Sequence, residues 1–142
     1  GGTVYVYAYD DAINAGKSIT INGGTVFAHA INNDAIDSNG TMTINGGYVV
    51  ASGTGVPEGG FDADMPRNFT VNGGTLIGIG GDHTQPNTNS KQNSVIYGSL
   101  TAAKDATLTL CNSSGTAVLS YKLHRTLTGM SLFLSDSKLT NG

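Results

Sequence analysis

Several of the ten acidic side chains in this chain recur at matching positions, and their chemistry depends on whether those positions stack. Asp11-Ala12-Ile13-Asn14-Ala15-Gly16 aligns with Asp34-Ala35-Ile36-Asp37-Ser38-Asn39, and both align with Gly59-Gly60-Phe61-Asp62-Ala63-Asp64. Stacked in register, Ile13, Ile36 and Phe61 point into a core. Asn14, Asp37 and Asp62 then form one outward column and Gly16, Asn39 and Asp64 a second, with Asp11 and Asp34 just upstream. Two carboxylates one strand spacing apart, about 4.8 Å, repel by ~3–4 kcal/mol at an effective dielectric near 20. A cation removes that repulsion. Calcium–oxygen distances of about 2.3–2.6 Å let one ion touch oxygens from two layers, and an all-oxygen donor set favours Ca²⁺ over zinc or copper. The predicted ligands are Asp37, Asp62, Asp64, Asn39, Asp34, Asn14 and Asp11. The same columns also fit a solvated corner, because Asp and Asn are ordinary turn residues that bond their own backbone. The spacing is neither that of an EF-hand loop nor that of a nine-residue calcium roll.

A second set of residues is aromatic. Tyr5, Tyr7 and Tyr9 alternate along one segment, Phe27, His29 and Ile31 hold the same columns in the next repeat, and Val50, Ser52, Ile77 and Ile79 continue them. Because Val4, Val6 and Ala8 have core-like partners, the tyrosines are expected to face outward. Aligned rings on a flat sheet suit stacking on sugar rings, with a hydroxyl for hydrogen bonding. The predicted carbohydrate-binding residues are Tyr5, Tyr7, Tyr9, Phe27, His29 and, from the loop at 53–68, Arg67. The alternative is that the tyrosines pack on a further rung, a loop or a neighbouring molecule.

The elements that must position these groups are written as a repeat. Asn-Gly-Gly occurs at Asn22, Asn45 and Asn72, and Gly1-Gly2 begins the same pattern, giving spacings of 22, 23 and 27 residues. The flanks are β-branched and alternating, which is strand chemistry. Glycine permits the positive φ of a tight corner. Ile19/Met42/Phe69, Ile21/Ile44/Val71 and Val4/Val26/Val49/Leu76 are the expected core columns, and Asn22/Asn45/Asn72 an amide ladder. The predicted fold is all-β: a right-handed single-stranded parallel β-helix of about four rungs, 1–22, 23–45, 46–72 and 73–94, closed by a β-rich C-terminal cap over 95–142. Residues 85–94 lack periodicity and read as a loop. Cap strands are expected near 94–100, 106–111, 117–123 and 131–134, with a hairpin turn at 112–115.

Composition narrows the function classes. A net charge of −3 without a basic stripe argues against nucleic acid, and no apolar run is long enough for a transmembrane helix. A single cysteine, Cys111, excludes an internal disulfide framework. Gly16-Lys17-Ser18 ends like a phosphate loop, but Asp11 stands where the earlier glycine is required. The sequons at Asn39, Asn68 and Asn112 are expected by chance in an Asn/Thr-rich chain. His29, His83 and His124 show no zinc spacing. Because Gly1-Gly2-Thr3 falls within a rung, the chain reads as trimmed, its leader and some rungs removed.

The runs Asp34-Ala35-Ile36-Asp37-Ser38-Asn39-Gly40, Thr43-Ile44-Asn45-Gly46-Gly47, Tyr48-Val49-Val50-Ala51-Ser52-Gly53 and Glu58-Gly59-Gly60-Phe61-Asp62-Ala63-Asp64, with the segment from Asn93 onward, resemble the bacterial carbohydrate-binding domain-containing β-helix proteins. The resemblance implies a fold similar to polysaccharide lyases, a secreted or cell-surface location, calcium on the Asp-rich strip, and binding of cellulose or acidic plant polysaccharide. The expected function is a non-catalytic, calcium-stabilised polysaccharide-binding module. One alternative is a calcium-dependent uronate lyase, for which Arg67 or Lys17 would be the base beside the metal. Another is a structural adhesin or stalk.

Overall fold

The computed structural model describes residues 1–64 and 68–140, and the chain folds as an all-β parallel solenoid. Each full turn has three strands. The first contains β1 (Thr3–Ala8), β2 (Ile13–Ala15) and β3 (Ser18–Ile21); the second β4 (Thr25–Ala30), β5 (Ile36–Ser38) and β6 (Thr41–Ile44). The third contains β7 (Tyr48–Ser52), β8 (Phe61–Ala63) and β9 (Phe69–Val71). Strands one turn apart pair in parallel and build three sheets, in the orders β1-β4-β7, β2-β5-β8 and β3-β6-β9.

The register is the one the corners demand. Ile19, Met42 and Phe69 stack, as do Ile21, Ile44 and Val71, and from the second turn onward the core columns are buried. At the corner, Asn45 Nδ2 donates to Asn22 Oδ1 and Asn72 Nδ2 to Asn45 Oδ1, each over 2.8 Å. The second glycine of the corner is required twice over. Gly47 and Gly74 have φ of 105° and 100°, and a Cβ on either would stand 2.7 or 2.6 Å from a carbonyl oxygen of the turn before.

Four rungs are expected from the sequence; three close. The fourth begins with β10 (Thr75–Gly80), which extends the first sheet, but residues 81–93 then follow the third turn without forming strands. Asp82 bridges to Gly59, Thr84 N donates to Phe61 O over 2.9 Å, Asn87 N to Phe69 O over 2.7 Å, and Lys91 N to Val71 O over 2.9 Å. The course of a rung is kept while its strand chemistry is lost, because 85–93 offers no alternating apolar residues for the core columns.

The C-terminal segment supplies the missing core. Its strands are β11 (Ser94–Ala102), β12 (Thr107–Cys111), β13 (Ala117–Lys122) and β14 (Leu127–Ser135). β14 pairs antiparallel with β10 and β11 with β14, so the first sheet becomes six-stranded, β1-β4-β7-β10-β14-β11. Phe133 of β14 enters the solenoid core, 5.3 Å from the Phe61 ring and 5.5 Å from Phe69. Gly78 makes room for it, since a Cβ there would lie 2.8 Å from Phe133 Cβ. The hairpin β12–β13 packs over the outer face of the six-stranded sheet. Leu108, Leu110, Leu119 and Tyr121 join Val50, Ile77 and Ile79 in a second apolar cluster. The sheet is thereby buried on both faces over β7 and β10, which explains the near-continuous apolar run of each strand.

Candidate metal centre

The second sheet carries the acidic strip. Asn14, Asp37 and Asp62 are register partners across β2, β5 and β8. Asp64 follows β8, and its N donates to Ser38 O over 3.1 Å, which sets it beside the column. One carboxylate oxygen each from Asp37, Asp62 and Asp64 lies within 4.8 Å of the other two. This group can hold a metal ion.

Asp37 is the centre of the group and only 7% exposed. Its Oδ2 accepts from Asn14 Nδ2 over 2.6 Å, while its Oδ1 is buried and has no hydrogen-bond partner among the described residues. Burial first, then the charges of Asp11, Asp62, Asp64 and Glu58, push its pKa up to about 6. Among the described residues, the charges that shift Asp37 are all acids. Asp62 is half-buried, and its Oδ1 accepts from Thr84 Oγ1 over 2.9 Å. Thr84 Oγ1 in turn accepts from Ala63 N over 2.9 Å, and of its two acceptors Asp62 Oδ1 is nearer than Ala63 O at 3.4 Å. Asp64 is exposed on the rim of an open cleft of 610 Å³ lined by Asp62, Asp64, Thr84, Gln85, Asn87 and Thr88.

The other predicted ligands are placed elsewhere. Asn14 bridges two acids, donating from Nδ2 to Asp37 Oδ2 and, over 2.8 Å, to Asp11 Oδ2. Asp11 Oδ1 accepts from Asp34 N over 3.2 Å. Asn39 is exposed beside the column, its N donating to Ala15 O over 3.0 Å. Asp34 is buried with its Oδ1 on Gly59 N at 2.6 Å, and its carboxyl hydrogen-bonds Glu58. Burial, followed by that bond, raises the Asp34 pKa to about 8, although Gly59 N opposes the shift. Asp34 and Glu58 line a separate 250 Å³ cleft with Asp82 and His83.

Glu58 and Thr84 were absent from the predicted set. The 27-residue spacing of the third repeat, four longer than the second, signals the insertion that carries Glu58. Thr84 had no such signal, because it acts from the irregular segment that overlies β8.

The predicted aromatic face is divided by the cap. Tyr5, Tyr7 and Tyr9 are 75%, 73% and 70% exposed. Tyr7 stacks on His29 with centroids 4.9 Å apart and planes at 13°, and Tyr5 lies 6.0 Å from Phe27. Phe27 and His29 themselves are not part of an open platform. Both contact His124, and His29 is buried, because the chain after β13 covers this part of the sheet. Arg67 lies outside the described residues. Lys17 is exposed.

Fold and site together define a parallel β-solenoid with an acidic, metal-competent strip. Compared with protein-family models, curated proteins and solved structures, the chain matches none.

Proposed function

We propose that this chain is a non-catalytic, calcium-stabilised polysaccharide-binding module of a secreted or cell-surface bacterial protein. The observation that carries the reading is the buried Asp37 Oδ1, which has no partner and belongs to a three-carboxylate group. A hard divalent cation satisfies that oxygen and neutralises the mutual repulsion of Asp37, Asp62 and Asp64. The cleft bordered by Asp62 and Asp64 gives an acidic sugar access to the same ion, so that calcium can bridge protein and uronate. The row of Tyr5, Tyr7 and Tyr9 offers exposed rings for sugar stacking.

Calorimetric titration with CaCl₂ tests the metal, and sedimentation with insoluble cellulose or with calcium-free polygalacturonate tests the glycan. One site with a Kd of about 10⁻⁴–10⁻³ M is expected, lost in Asp62→Ala, with glycan retention abolished by chelator. Unchanged calcium binding in Asp62→Ala removes the metal centre. Retention on no glycan, with calcium bound, leaves the stalk reading. A steady release of unsaturated uronate product establishes the lyase instead.

A further inference from the structure

A cluster of titratable groups lies on a different sheet from the acidic strip, where the chain after β13 meets the outer face of the six-stranded sheet. His29 Nδ1 of β4 stands 3.3 Å from His124 Nε2, and His124 Nδ1 stands 2.7 Å from the Tyr121 hydroxyl. The His124 ring is edge-on to Phe27, at 4.9 Å and 81°, and to His29, at 5.3 Å and 88°. Arg125, the next residue, donates from Nε to Ser52 Oγ over 3.0 Å and from Nη2 to Gly53 O. Residues 121–125 thus tie the hairpin β12–β13 to β4 and to the end of β7.

Two ring nitrogens facing each other at 3.3 Å hold one proton between them: one donates and the other accepts. A second proton sets N–H against N–H and places two positive charges side by side. Among the described residues, the surroundings offer no relief. The charges bearing on the rings are those of Arg125 and, for His124, Lys104, both positive. The other titratable groups at the contact are phenols: Tyr7 stacked on His29, Tyr121 on His124, and Tyr48, whose influence reaches Tyr121.

We propose that the His29–His124 contact is an acid-sensitive latch, whose second protonation releases the cap hairpin from the sheet and uncovers the apolar patch of Phe27, Val50, Ile77 and Ile79. Burial, then His29 and Arg125, hold His124 down at about 4; burial, then Arg125, lowers His29. A histidine whose pKa falls on docking favours the docked state fully above its free value, near 6.5, and progressively less as pH falls toward 4. At about pH 5 the shift of His124 corresponds to a ~30-fold change in the opening equilibrium, and to about tenfold once solvent screening at the half-exposed ring is allowed for.

Hydrogen exchange by NMR on the full chain, in chelator, reads the latch directly, with the ring protons of both histidines followed in the same samples. Amides of Thr107–Cys111 and Ala117–Lys122 are expected to lose protection about tenfold between about pH 7 and pH 5, after correction for intrinsic exchange. The loss should track ring protonation, while β6 and β9 keep their protection. His124→Gln, which cannot be charged, is expected to lose markedly less hairpin protection between the two pH values, the remainder being due to His29. Rings that take up protons while the hairpin stays protected overturn the proposal, as does the same acid dependence in His124→Gln. If that variant fails to fold, the wild-type titration still decides.

Discussion

Asp37→Asn separates the two faces of the acidic strip, because its effect should change sign with metal. Without a cation, Asp37 carries a folded-state pKa of about 6 against an ordinary value of 3.8. The folded protein therefore holds that proton more tightly than the unfolded chain. Its contribution is most favourable below about pH 4 and is lost as pH rises through 6, so above that the ionised carboxylate opposes folding. The undiscounted shift corresponds to about 3 kcal/mol. Side-chain burial is nearly complete but the open cleft is adjacent, so we take half, about 1–2 kcal/mol. The asparagine keeps an oxygen for Asn14 Nδ2 and turns an amide donor toward Asp62 and Asp64, where the buried Oδ1 had no partner. In chelator at about pH 8 the variant should be more stable than wild type by that 1–2 kcal/mol, roughly 3–8 °C in Tm for a chain of this length. Near pH 4 the advantage should vanish. In about 10 mM calcium the order should reverse, since a wild-type site with Kd near 10⁻⁴–10⁻³ M gains about 1.5–3 kcal/mol that the variant lacks. Thermal unfolding followed by circular dichroism in the matched buffers provides the assay. A variant less stable than wild type in chelator at pH 8, or one stabilised by calcium as much as wild type, refutes the reasoning.

The remaining predictions probe the scaffold and the aromatic row. Phe133→Ala should cost about 3–5 kcal/mol in urea unfolding, because the side chain plugs the solenoid core against Phe61 and Phe69. Asn45→Ala breaks two rungs of the amide ladder and should cost about 1–2 kcal/mol, whereas Asn22→Ala breaks one and should cost about half as much; equal losses would mean the ladder is not the source. Tyr7→Ala, at an exposed ring, should change stability by less than about 1 kcal/mol while weakening glycan retention several-fold.

Much of the solenoid can be read from the chain because its register is written locally. Each Asn-Gly-Gly corner resets the count, so Ile36, Phe61 and Asp62 find their column by distance from the nearest corner, without knowledge of the whole. The same rule brought Asp37, Asp62 and Asp64 together. Its limit is visible at residues 81–93, where the corner at Asn72 promises a fourth rung that the following residues cannot fill.

The tertiary structure alone decided how the ends and faces are used. That Phe133 completes the core and that His124 covers Phe27 and His29 depends on antiparallel pairing of β14 with β10 and on a hairpin folded over the sheet, and that Thr84 reaches Asp62 depends on the irregular segment laid along the third turn. Such contacts join residues from unlike segments, and no repeat records them. Burial behaves in the same way. The chain shows that Asp37 sits in an acidic column, but only the packing around it leaves one buried oxygen with no partner among the described residues, and that atom turns a polar stripe into a candidate place for a cation.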